Sequence, residues 1–215
     1  MSTAAAKSFR SARTANFTES VIREMTRLAL AHGAVNLSQG YPASPAPAVI
    51  KEAAKRALDD GATHYGPSAG LPELREAVAK HISQANGISV TPDQVVITPG
   101  AKPIMFFTIM ALVNPGDEVI YPNPGFPIYE SVINFVGGVP VPIPLREESG
   151  FQFDLDVFER RVSAKTKLII LNSPQNPTGG VLTNVVNLVG NGGVGNTLLM
   201  SGTAKIFGSN NITLA

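Results

Sequence analysis

From residue 95 to residue 171 the chain alternates short apolar runs with longer helical ones, and this rhythm constrains the fold more than any other feature. Residues 95–97, 118–121, 139–144 and 167–171 read as strands, the first and last as buried ones. Between them, 102–113, 127–135 and 155–163 read as helices. Strands that alternate with helices predict an open, mostly parallel sheet covered by helices, an α/β architecture of three layers. Pro140, Pro142 and Pro144 place the third run at a sheet edge, because proline cannot donate to a ladder. Upstream, 18–32 reads as an amphipathic helix stopped by Gly33, and 46–60 as an Ala-rich helix ending at Gly61. A third helix begins at Pro72, a favoured first-turn residue.

Ligands of such sheets sit beyond the carboxyl ends of the strands, so the strand ends are where chemistry is expected. Three of them are unusual. In "ITPGAKPIMFF", Ile97 closes a strand and Gly100, Ala101 and Lys102 open a helix, where free backbone N–H groups and the positive dipole end suit an anion. In "YPNPGFPIYE", Phe126 stands between two prolines, rigidly placed either to cap the core or to form one face of a sandwich for a flat ligand. In "NSPQNPTGG", two X-Pro steps bias the backbone away from helix, and Asn172 and Asn176 are presented on a stiff elbow. The Asn176–Pro177 bond is a candidate for the cis form. An anion site, an aromatic plate and a fixed amide along one sheet edge suit a flat aromatic phosphate ester.

Composition narrows the function classes. The 215 residues carry a formal net charge of +1 and no cysteine, which favours neither nucleic acid nor an anionic membrane and leaves no disulfides or thiolate metal sites. Residues 1–20 lack an apolar signal core, and no apolar window approaches membrane-spanning length. A cytoplasmic protein that binds neither membrane nor nucleic acid is expected.

The ordered motifs resemble the fold-type I, class I/II pyridoxal-phosphate aminotransferases, the aspartate and aromatic transaminase group, over about residues 18–183. "NLSQGYP" is similar to the substrate-side loop, which implies that Gly40 lies near the substrate carboxylate. "THYGPSAGLPELREAV" is similar to the segment whose tyrosine, here Tyr65, reaches the cofactor phosphate of the partner subunit. Gly100, Ala101 and Lys102 match the phosphate-binding turn, where many members carry a hydroxyl residue. Phe126 matches the ring that stacks on the pyridine, and Asn176 the amide that hydrogen-bonds its phenolic oxygen. The resemblance implies pyridoxal 5'-phosphate as cofactor, amino-acid and 2-oxo-acid substrates, and a homodimer.

The chain then departs from that pattern. The family's cofactor-binding lysine, its pyridinium-pairing aspartate, a tyrosine and a carboxylate-clamping arginine all follow the asparagine matched by Asn176. Here there is no Asp or Glu after Glu159, no Arg after Arg161 and no Tyr after Tyr129. Lys205, in "SGTAKIFG", is a faint echo of the Schiff-base lysine motif. Residues 184–215 are rich in Asn and Gly, nearly uncharged and β-prone, more like rungs of a β-solenoid than part of a transaminase. The expected organisation is an N-terminal arm and small-domain segment over 1–45, a truncated cofactor-binding large domain over 46–183, and an unrelated tail over 184–215. The family inserts later strands between those matching 94–98 and 167–171, so 94–98 is expected to lose its neighbour unless tail strands fill the gap. A truncated aminotransferase, inactive alone, is one reading; a non-catalytic module that binds the cofactor or a partner is the other.

Overall fold

The computed structural model describes residues 9, 11–14, 17, 20–38, 40, 44–182, 197–202 and 212–214. The chain divides into two compact units, residues 18–97 and residues 1–17 with 98–215.

The first unit holds three helices, α1 (Val21–Ala31), α2 (Ala48–Asp59) and α3 (Pro72–Asn86). Pro72 sits in the first turn of α3, and Gly87 ends it in the left-handed conformation that glycine adopts without steric cost. The helix expected from residue 18 begins at Val21; Thr18 and Glu19 lie outside the described residues. Among the described residues of this unit only Ala79 and Val95 are buried.

Residues 95–97, expected as a buried strand, form no strand. Their backbone groups are satisfied irregularly. The Val95 N–H donates to Pro92 O, the Val95 carbonyl accepts from Arg75 Nε at 2.9 Å, and the Ile97 N–H donates to Ala69 O. A β-run without a parallel neighbour has no ladder to join, and here a side-chain guanidinium and a loop carbonyl supply the partners. Of the three buried apolar positions expected, Val95 is buried and Val96 is 62% exposed.

The second unit contains the sheet. Its elements run α4 (Ala101–Leu112), β1 (Glu118–Asn123), α5 (Ile128–Phe135), β2 (Val139–Pro144), α6 (Leu155–Arg161), β3 (Thr166–Ser173), β4 (Thr197–Gly202) and β5 (Ile212–Leu214). The strand order is β2-β1-β3-β4-β5, and every pair is parallel. Proline-rich β2 occupies an edge, where its missing donors cost nothing. On the far side of β3 lies β4, a strand from the Asn/Gly-rich tail, in register from Leu168 with Thr197 to Ser173 with Gly202. The tail thus supplies the neighbour that β3 would otherwise lack.

The period of two along β1 and β3 builds a core on each face. Val119, Tyr121, Leu168 and Ile170 pack with Met105 and Ile109 of α4 and with Tyr129, Val132 and Ile133 of α5. Ile120, Ile169 and Leu171 point the other way, onto Val141 and Ile143 of β2, Phe153, and Phe158 of α6. The loop between β1 and α5 and the elbow after β3 leave the same end of the sheet. Asn123–Pro124, Ser173–Pro174 and Asn176–Pro177 in them are cis.

Candidate functional site: the carboxyl ends of the strands

The site is assembled from three chain turns of the second unit. Gly100, at φ +91° and ψ 176°, makes the sharp entry into α4, a backbone region essentially reserved for glycine. A Cβ built on it would meet nothing within 4 Å, so backbone conformation rather than space calls for glycine here. No acidic residue lies in the first turn of α4, and Ala101 and Lys102 are exposed there. The terminus therefore combines unpaired backbone donors, the positive dipole end and a full cationic charge, a donor set that fits a phosphate.

Lys102 does not stand alone. Its Nζ lies 5.7 Å from the centroid of the Phe126 ring, within cation–π range. Phe126 is half-buried, and its ring packs edge-on to Tyr129 at 6.1 Å. Tyr129 in turn meets Tyr121 at 6.3 Å, so the plate rests on an aromatic stack rooted in the core. The loop carrying Phe126 requires glycine at 125, since a Cβ there would collide with the Pro122 carbonyl.

Both tyrosines are held neutral. Burial, with the adjacent Glu130 carboxylate as both charge and hydrogen-bond acceptor, pushes the Tyr121 phenol up to about 12. Burial also raises Tyr129, and a hydrogen bond from the Asn172 side chain opposes it. Asn172 therefore has a protein partner, whereas Asn176, four residues on, is exposed.

The structure brings Lys102 and Phe126 together and sets Asn176 on the neighbouring elbow. Gly40 and Tyr65 belong to the other unit and are exposed within it. Lys205 lies outside the described residues. One residue escaped the sequence reading altogether. Gln175, only 5% exposed, donates from Nε2 to Pro124 O at 3.0 Å and to Asn176 O at 3.1 Å. A buried amide cannot be recognised from a lone Gln in a polar elbow; the clue available was its position between two prolines.

The cavity beside Gln175, lined also by Pro122, Leu145, Leu171 and Asn172, encloses about 10 Å³, room for about one water. A cofactor would not enter it. At the Lys102–Phe126 pair the lysine is exposed and the ring half-buried, a cation and an aromatic plate that fit a phosphate and a flat ring. In the other unit, an open groove of about 350 Å³ runs past Met25, Leu28, Val35 and Leu37 and is mostly apolar.

The comparisons agree with the motifs. The family model for aminotransferase class I and II matches residues 32–185. A probable aspartate/prephenate aminotransferase of Aquifex aeolicus is 45% identical over 147 residues, covering 68% of this chain and 37% of that protein. A probable aspartate aminotransferase of Methanocaldococcus jannaschii is 43% identical over 171 residues, 80% of this chain and 45% of its own length. Among solved structures, an aspartate aminotransferase of Thermus thermophilus superposes with a TM-score of 0.78 at 32% identity, over 91% of this chain and 53% of that one. The chain thus spans less than half the length of those two curated relatives. The family match ends at residue 185, beside the compositional change that follows Thr183. The chain belongs to the aminotransferase class I and II family.

Proposed function

We propose that this chain is the cofactor-holding portion of a pyridoxal-phosphate-dependent aminotransferase that acts between an amino acid and a 2-oxo acid, and that it does not turn over alone. The observation that carries this reading is the Lys102 ammonium set 5.7 Å from the Phe126 ring at the mouth of α4. A cation, a helix terminus and an aromatic plate are the parts that a phosphorylated pyridine needs. When bound, the cofactor supplies an aldehyde and an electron-withdrawing ring for amino-group transfer. Gly100, Ala101 and Lys102 would hold the phosphate, Phe126 would cover one ring face, and Asn176 would hydrogen-bond the phenolic oxygen. Gly40 would lie toward the substrate carboxylate, and Tyr65 would serve the phosphate of a partner subunit in a homodimer, with the work done in the cytoplasm. Residues 46–183 would form the large domain, 1–45 the arm and small-domain segment, and 184–215 a tail foreign to the family.

Turnover needs a lysine to hold the aldehyde and move a proton, and an acid to pair with the ring nitrogen. The sequence after Asn176 offers Lys205 and no carboxylate. Asp154 caps α6, accepting from the Val157 N–H at 2.9 Å, and that residue and Glu159 precede β3 rather than following it. A coupled assay with several amino donors and 2-oxoglutarate, run on residues 1–215 beside a full-length relative, tests the reading. Turnover within tenfold of the relative, abolished by Lys205→Ala, would overturn the claim of inactivity. Absence of pyridoxal-phosphate binding would overturn the cofactor assignment and leave the partner-binding module.

A further inference from the structure

We infer that Gln175 is a positioning residue that locks the Phe126 loop and the Asn176 elbow into one unit, so that ring plate and amide meet a ligand at a fixed spacing. The inference deepens the proposed cofactor reading and rests on it. The two loops leave different strands, β1 and β3, and are separated by some fifty residues of chain. Gln175 spans them with a single nitrogen. Its Nε2 donates one hydrogen to Pro124 O, two residues before Phe126, and the other to the carbonyl of Asn176. Both partners are carbonyls that can only accept, which fixes the amide orientation, because the flipped form would set oxygen against oxygen. The backbone of Gln175 is pinned as well. Its N–H donates to Gly180 O and its carbonyl accepts from Gly179 N–H, each at 2.7 Å.

Such a residue differs from ordinary packing in what it orders. Gln175 is buried whereas Pro124 and Asn176 are exposed residues, so losing its two amide hydrogens unties both loops at once. The phosphate end of the site, at Gly100 and Lys102, receives no bond from Gln175. Ring recognition should therefore depend on Gln175, and phosphate recognition should not.

The test uses the full chain and two ligands, pyridoxal phosphate and inorganic phosphate, with Gln175→Met, which keeps length and removes the donors. Gln175→Leu, close in size, uncharged and without donors, gives the same comparison if the Met variant fails to fold. Expected is a fall of about tenfold in pyridoxal-phosphate affinity, the scale of a lost hydrogen bond, with phosphate affinity held within about twofold. Equal losses for both ligands, or no loss for either, would overturn the inference. If the unsubstituted chain binds pyridoxal phosphate no better than phosphate, the ring contact in the proposed function fails instead. Hydrogen exchange on the ligand-free chain then decides the clamp by itself. Amides of Gly125, Phe126, Asn176 and Gly179 that quicken together in the variant, with β1 and β3 unchanged, support it; one loop alone, or neither, refutes it.

Discussion

Lys102 and Phe126, 24 positions apart in sequence and on different elements, meet with the ammonium 5.7 Å from the ring centroid. The contact joins the first turn of α4 to the loop after β1, with the ammonium over the aromatic ring. Replacing Lys102 with Ala should weaken phosphate-led binding by about 1–2 kcal/mol, the scale of one charge-assisted contact in a wet site. Isothermal titration with pyridoxal phosphate measures it. An unchanged affinity would remove Lys102 from the site.

Gly100 should tolerate no side chain, although space is not the reason. A Cβ there meets nothing, but φ +91° with ψ 176° is a region that L-residues avoid. Gly100→Ala should cost about 1–3 kcal/mol in stability or shift the turn. Chemical denaturation reads the first outcome and loss of phosphate binding the second. A variant equal to the parent in both would show that the turn does not need its glycine.

Alkaline pH should weaken the second unit through Tyr121. An unfolded phenol ionises near pH 10, whereas burial and Glu130 push the folded one up to about 12. The folded state holds the proton more tightly, so this contribution is complete below pH 10 and is lost as pH rises to 12. The melting temperature should fall across that window, and Tyr121→Phe should make the fall shallower. An identical pH profile for the variant would refute the assignment.

Leu168, fully buried in β3, packs against the α4 and α5 face of the sheet. Leu168→Ala should cost about 2–5 kcal/mol by denaturant unfolding, from lost burial and the cavity left behind. A loss below about 1 kcal/mol would mean that the face can collapse around the gap.

What the sequence disclosed, and what it hid, divides along physical lines. Val119 to Tyr121 and Leu168 to Leu171 announced their strands because apolar side chains serve both faces of a covered sheet. Pro140 and Pro142 announced an edge because the missing donors permit nothing else. Val95 to Ile97 misled, since composition reports an apolar run and not whether a neighbouring strand exists to pair with it. The anion turn at Gly100 and the ring at Phe126 could be named from residue type and order. Their contact through Lys102 could not, because it depends on how α4 and the β1–α5 loop pack. Gln175 was hidden for the same reason: its carbonyl partner Pro124 lies far away in sequence and near in space.

The central claim is that the strand ends of this sheet hold a phosphorylated pyridine, and its most direct measurement is a titration of the full chain with pyridoxal phosphate in the presence of increasing inorganic phosphate. The account predicts saturable binding that phosphate displaces competitively and that Lys102→Ala weakens. Absence of saturation, or binding indifferent to phosphate, would contradict it.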